Sequence, residues 1–220
     1  MASRGNRTHP RRPAPRLYLA TPQVNDPAGP AAALTAALGA AEVAAVLLRL
    51  AAADERTLLN RVKVLAPIVQ NSGAALVLDG HADLVARAGA DGAHLDGIAA
   101  FQAALGALKP AKIAGCGGLE TRHDAMAVAE AGADYVMFGE PDEAGQRPSF
   151  DAIVERVAWW AELFEIPCVG FAAHADEVEP LAQAGADFVA LGDWIFTDAR
   201  GTAEAVAAAA RQLAGAELAA

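Results

Sequence analysis

Three stretches of this chain repeat one pattern: Ala88-Gly89-Ala90-Asp91-Gly92-Ala93-His94-Leu95, Ala131-Gly132-Ala133-Asp134-Tyr135-Val136-Met137-Phe138-Gly139, and Ala184-Gly185-Ala186-Asp187-Phe188-Val189-Ala190-Leu191-Gly192. In each, the glycine is placed to take the left-handed conformation just past a helix, and the apolar run after the aspartate has the length of a buried strand. The glycines lie 43 and 53 residues apart, room for two strand-helix units per interval. Filling the intervals gives eight strands, near 17–20, 43–49, 75–78, 92–95, 112–115, 134–138, 168–171 and 188–191. Between them run Ala-rich helical stretches such as 54–69, where Leu58, Leu59, Val62, Leu65 and Val69 form one apolar stripe. Strands alternating with helices demand right-handed crossovers and a parallel sheet, and eight units permit closure. The expectation is an α/β single domain, a (β/α)8 TIM barrel, for which 220 residues is an ordinary length. The alternative, an open doubly wound sheet, calls for a glycine-rich phosphate loop after its first strand, where this chain has Leu19-Ala20-Thr21-Pro22.

Charge narrows the function classes. The net charge of −10 hides a basic arm, because Arg4, Arg7, Arg11, Arg12 and Arg16 occupy the first sixteen residues with no acid among them. The remainder sets 12 basic residues against 27 acidic ones, −15, a body that repels phosphate backbones and disfavours nucleic-acid binding. Residues 1–15 lack an apolar secretory region and read as a disordered basic tail, a transit peptide being the alternative; the barrel domain then spans 16–220. No apolar run reaches the roughly 20 residues of a membrane span. Cys116 and Cys168 are too few for a disulfide framework, which fits a cytoplasmic location.

In a barrel of this kind, function gathers at the carboxyl ends of the strands and the loops after them. That selects Arg49, Asp79, Asp96, Cys116, Gly117, Gly118, the loop 140–147, Ala172, Ala173, His174, Gly192 and Asp193. Cys116-Gly117-Gly118 reads as a glycine-rich turn that either presents amides to a phosphate or only turns the chain. His94 ends the fourth strand, as a hydrogen-bonded barrel residue or as a catalyst. Trp194 beside Asp193 would stack on a ring at the mouth or pack in the core. Of Trp159 and Trp160, one is expected in the core and the other at the rim or in a homo-oligomer contact. The histidines and cysteines show no zinc-site spacing.

Over roughly 16–213 the chain resembles thiamine phosphate synthase and the related thiazole tautomerase. The resemblance rests on Leu17-Tyr18-Leu19-Ala20-Thr21, Val46-Leu47-Leu48-Arg49, Leu78-Asp79-Gly80-His81-Ala82-Asp83-Leu84 leading into Gly89 to Leu95, and Gly132-Ala133-Asp134-Tyr135. It implies an enzyme that joins a pyrimidine methyl diphosphate to a thiazole phosphate and releases pyrophosphate with Mg2+, through a carbocation-like pyrimidine. The partners are then small phosphorylated molecules. Arg49 matches the family's diphosphate-binding arginine, whose planar fork suits bidentate phosphate contacts, with a rim ion pair as the alternative. Asp79 matches the magnesium-binding aspartate, a hard oxygen ligand, with a helix N-cap as the alternative. Asp96 stands in as a second metal ligand, and Cys116, Gly117, Gly118, Arg147, Gly192 and Asp193 as substrate contacts.

The chain also departs from the family pattern. Leu47 and Ala51 replace a Gln and a Lys flanking the arginine, Leu78 replaces the Asn before the metal-binding aspartate, and Ile98 or Ala99 stands where the second metal carboxylate belongs. The diphosphate-covering Thr and Lys loop becomes Glu140-Pro141-Asp142-Glu143-Ala144-Gly145-Gln146-Arg147, with only Arg147 of the right sign. Four lost charge-assisted contacts at roughly 1.5–3 kcal/mol each would remove about 6–12 kcal/mol unless compensated. Two further readings follow: an isomerase like the tautomerase, served by Glu120, Cys116 or His123, and a non-catalytic binding protein that has kept the barrel.

Overall fold

The computed structural model describes residues 13–142 and 144–219. Most of the basic tail, and Glu143 of the acidic loop, lie outside the described residues. The strands are β1 (Arg16–Ala20), β2 (Val43–Leu48), β3 (Ala75–Asp79), β4 (Gly92–Asp96), β5 (Ile113–Gly117), β6 (Tyr135–Phe138), β7 (Cys168–Ala172) and β8 (Phe188–Leu191). The helices are α1 (Ala28–Ala40), α2 (Glu55–Gln70), α3 (Val85–Ala88), α4 (Gly97–Leu108), α5 (Arg122–Glu130), α6 (Phe150–Leu163), α7 (Val178–Gln183), α8 (Trp194–Thr197) and α9 (Thr202–Ala219). Each strand pairs in parallel with the next, and β1 pairs with β8, so the sheet closes as β1-β2-β3-β4-β5-β6-β7-β8. The expected barrel is the observed one. Strand ends differ from expectation by one or two residues, most at β5, which runs on through Cys116 and Gly117.

Side chains alternate across each strand, so one set fills the barrel and the other faces the helices. Tyr18, Ala20, Ala45, Leu47, Val77, Tyr135, Met137, Val169, Phe171 and Ala190 form the inner cluster. Leu17, Leu19, Val46, Leu48, Leu76 and Leu78, the intervening residues, belong to the larger outer cluster under the helices. The stripe of α2 packs as its spacing predicts, with Leu58, Val62, Leu65 and Val69 buried and Asp54 capping the helix from Thr57 N at 3.0 Å.

The repeated runs share a mechanical role. Gly89, Gly132 and Gly185 all take positive φ, 75°, 99° and 96°. The aspartate two residues later then reaches the preceding strand: Asp91 Oδ2 accepts from Leu76 N at 2.8 Å, Asp134 Oδ2 from Ala114 N at 2.7 Å, and Asp187 Oδ2 from Cys168 N at 2.8 Å. Each repeat ties an even strand to the odd strand before it, at the amino-terminal end of the barrel. The carboxyl end is thereby left to the variable loops.

Candidate active site

Period-two alternation aims a specific set of side chains at the barrel mouth. On β2 the inward series Ala45, Leu47 continues to Arg49; on β3, Val77 continues to Asp79; on β4, Gly92 continues to His94 and Asp96. Arg49 is fixed by its backbone N–H, which donates to the buried Thr21 Oγ1 at 3.0 Å. Its Nε lies 3.5 Å from Asp79 Oδ2, its Nη1 3.3 Å from Asp193 Oδ1, and its guanidinium carbon 5.6 Å from the centre of the Phe171 ring. Arg49, Asp79 and Asp193 line a cavity of about 730 Å³ together with His94, Asp96, Glu140 and the apolar Leu119, Met137 and Phe138.

Behind Arg49 runs a chain of buried hydrogen bonds. Tyr18 OH and Tyr135 OH are 3.0 Å apart, Tyr135 OH is 3.0 Å from His94 Nδ1, and His94 Nε2 is 3.0 Å from Glu140 Oε2. His94 stacks on Tyr135, ring centres 5.6 Å apart. Burial would push the Glu140 carboxyl up, but the neighbouring His94 charge and hydrogen bond hold it below its ordinary value. Burial would push His94 down, and Glu140 instead raises it. Asp79 is raised, first by burial and further by the charges of Glu140 and Asp96, against His94 and Arg49.

The expected site residues divide. Arg49 and Asp79 meet, and Asp79 caps no helix, since the next helix begins at Val85 with Leu84 at its cap. Asp96 and Gly118 both line the cavity, close enough that a Cβ on Gly118 would overlap Asp96 Oδ1. Arg147 reaches the cavity but is tied down, its Nη1 2.9 Å from the Oε2 of the nearly buried Glu177 and its Nη2 3.4 Å from Phe171 O. Asp142 Oδ1 accepts from Ala144 N and Gln146 N at 2.9 and 2.7 Å, folding the acidic loop on itself.

Three expectations need correction. Cys116 and Gly117 belong to β5 and form no turn. Cys116 falls on the outward set, buried under the helices, and burial, first of all, pushes its thiol up to about 12, so it faces neither substrate nor proton transfer. Gly192 donates its N–H to Ala172 O at 3.0 Å and does not offer it to the cavity. Trp194, by contrast, takes the packing alternative expected for it: it lies against the outer core, its Nε1 donating to Ala172 O at 3.1 Å. Of the residues named for an isomerase, only Glu120 lines the cavity; His123 is exposed on α5. Trp160 is buried and Trp159 half-buried beneath Arg122, the expected division. Glu140 was legible only as an unwelcome loop acid. Its pairing with His94, 46 residues away, carries no sequence signal.

The comparisons agree with this architecture. The family model described as thiamine monophosphate synthase matches residues 17–208. A thiamine-phosphate synthase from Rhodospirillum centenum is 40% identical over 195 residues, covering 87% of this chain and 94% of that protein. One from Hyphomonas neptunium is 32% identical over 206 residues, 90% and 93% of the two chains. Among solved structures, a thiamine phosphate pyrophosphorylase from Pyrococcus furiosus superposes with a TM-score of 0.76 at 19% identity, covering 91% of this chain and 96% of its own. With its barrel and nearly its whole length matched, the chain belongs to the thiamine monophosphate synthase family.

Proposed function

We propose that this protein is a thiamine phosphate synthase, which couples hydroxymethylpyrimidine diphosphate with thiazole phosphate to give thiamine phosphate and pyrophosphate. The observation that carries this reading is the meeting of Arg49 and Asp79 at 3.5 Å in the mouth of a barrel of this family. Arg49 offers a planar fork to the diphosphate, and the Phe171 ring lies 5.6 Å from its guanidinium carbon, within cation–π range. Magnesium fits Asp79 and Asp96. Both are hard oxygen donors lining one cavity, Asp96 is near enough to raise Asp79, and one or two carboxylates plus substrate phosphate oxygens are a set this ion accepts. Held by Asp79 and Asp96, the ion would supply positive charge opposite the departing diphosphate.

In the reaction the bond between the pyrimidine methylene carbon and the diphosphate oxygen breaks, its electron pair leaving with pyrophosphate. The lone pair of the thiazole nitrogen then forms the new C–N bond. No protein nucleophile takes part, so the residues of the chain bind, orient and balance charge. Among the described residues both cysteines are buried and neither is in a disulfide, which suits a reducing, cytoplasmic setting. Among the described residues no helix is long and apolar enough to cross a membrane. The test is direct: purified protein, both substrates and Mg2+ should yield thiamine phosphate and pyrophosphate, and Arg49→Ala should do so only with a KM for the diphosphate raised about 10- to 150-fold. No product above a protein-free control rejects the reading.

A further inference from the structure

Glu140 holds the best-organised polar group of the cavity, and nothing above gives it a task. It is the second residue after β6, and its side chain turns back over the barrel, 14% exposed, to meet His94. The support behind it draws on three strands: His94 from β4, Tyr135 from β6 and Tyr18 from β1, joined by successive hydrogen bonds of 3.0 Å. Space for the carboxylate exists only because residue 117 is glycine. A Cβ there would overlap Glu140 Oε2 and stand 2.7 Å from His94 Nε2. The side-chain hydrogen bond of Glu140 among the described residues runs through Oε2, which leaves Oε1 for a ligand. Met137, Phe138 and Leu119 supply apolar surface to the same cavity. A fixed carboxylate with one open oxygen, in a cavity that also offers apolar surface to a ring face, is a receptor for the edge of a heteroaromatic amine, whose N–H groups lie in the ring plane.

We propose that Glu140 is a specificity-determining residue that reads the 4-aminopyrimidine edge of the diphosphate substrate and balances the positive charge that develops in that ring as pyrophosphate leaves. This deepens the synthase reading and rests on it. An amino group donates to the carboxylate, whereas an oxo group at the same ring carbon presents an acceptor to an acceptor. As the C–O bond breaks, the amino nitrogen shares the cationic charge, and a preorganised anion stabilises that state more than the ground state. Glu140 would thus replace with one charge part of what Leu47 and Leu78, both buried and apolar, do not supply.

The experiment compares the 4-amino pyrimidine diphosphate with its 4-oxo analogue, each with thiazole phosphate and Mg2+, in wild-type protein and in Glu140→Gln. The wild type should favour the amino substrate by about 100-fold or more in kcat/KM, and the variant should bring that ratio below about tenfold, chiefly through kcat on the amino substrate. A merely structural role for Glu140 slows both substrates alike, so an unchanged ratio overturns the proposal. In parallel, calorimetry with the phosphate-free 4-aminopyrimidine alcohol should show binding to wild type that weakens in the variant at least about tenfold. If wild type makes no thiamine phosphate the synthase reading fails, and the calorimetric arm still decides whether Glu140 recognises the ring. Should Glu140→Gln not fold, Glu140→Asp, which keeps the charge but draws it back, is read in the same way.

Discussion

Arg49 and Asp193 are 144 residues apart in sequence and meet across the barrel mouth, Nη1 to Oδ1 at 3.3 Å. Asp79 takes the other side of the same guanidinium at Nε. The arginine that should grip a diphosphate is thus held at rest by two carboxylates, and an incoming anion must displace one. Asp193 is the one to go, because its side chain is 58% exposed against 40% for Asp79. An exposed pair of this kind is worth about 0.2–1 kcal/mol, so Asp193→Ser should lower KM for the diphosphate by roughly 1.4- to fivefold. Arg49→Met should raise it about 10- to 150-fold, the loss of a charge-assisted hydrogen bond of roughly 1.5–3 kcal/mol. Initial rates at varied diphosphate measure both. An unmoved KM in Asp193→Ser would show that the pair does not compete with substrate.

The Glu140–His94 pair makes a prediction about stability that is independent of turnover. Glu140 is depressed, so its contribution is complete above the ordinary carboxyl value of 4.5 and is lost as pH falls through its folded value. His94 is raised, so its contribution is complete below the ordinary 6.5 and is lost as pH rises through its folded value. Both shifts are burial outweighed by the partner. Removing one partner of a buried pair costs up to about 3 kcal/mol, and at this length each kcal/mol is roughly 2–4 °C of Tm. Thermal melts of wild type and Glu140→Gln should therefore differ most between the two ordinary values and converge toward both extremes. A gap that stays constant with pH would mean that the pair is not ionised.

Such behaviour had no sequence signature, and the reason is physical. The barrel was legible because its information is local: the left-handed glycines, the aspartates after them and the apolar runs all act within a few residues. Arg49, Asp79 and Asp96 were legible as strand ends, since period two carries their direction forward from Leu47, Val77 and His94. The same parity places Cys116 outward, and reading Cys116-Gly117-Gly118 as a turn missed it because β5 continues two residues past the expected end. What could not be read were pairings across the mouth, Glu140 with His94 and Arg147 with Glu177, because these depend on loop paths and not on periodicity.

Gly115 tests the packing that supports the site. A Cβ at this inward position of β5 would overlap the Tyr135 ring, which is fixed by hydrogen bonds to Tyr18 and His94. Gly115→Ala should cost about 1–3 kcal/mol by overpacking and lower kcat by displacing Tyr135 and, through it, His94 and Glu140. Gly106→Ala, on α4 with open space around its Cβ, should leave kcat unchanged and stabilise by about 0.5–1 kcal/mol through helix propensity, and serves as the control. Equal melting curves for Gly115→Ala and wild type would show that the barrel interior has slack at Tyr135.

The three repeated aspartates allow the internal repeat of the sequence to be tested at three separate places. Each accepts a strand N–H at the end of the barrel opposite the site: Leu76 for Asp91, Ala114 for Asp134, Cys168 for Asp187. If these bonds only close the sheet locally, Asp91→Ala, Asp134→Ala and Asp187→Ala should each destabilise by about 1–3 kcal/mol, the penalty for leaving a buried donor unpaired. Amide hydrogen exchange should quicken at Leu76, Ala114 or Cys168 respectively, each variant at its own strand, while KM for both substrates stays at the wild-type value. Exchange that quickens equally at all three amides in every variant would mean that the repeats act as one cooperative ring and not as independent ties. A changed KM would mean that the two ends of the barrel communicate, contrary to the separation of stability from function that the positions of the repeats imply.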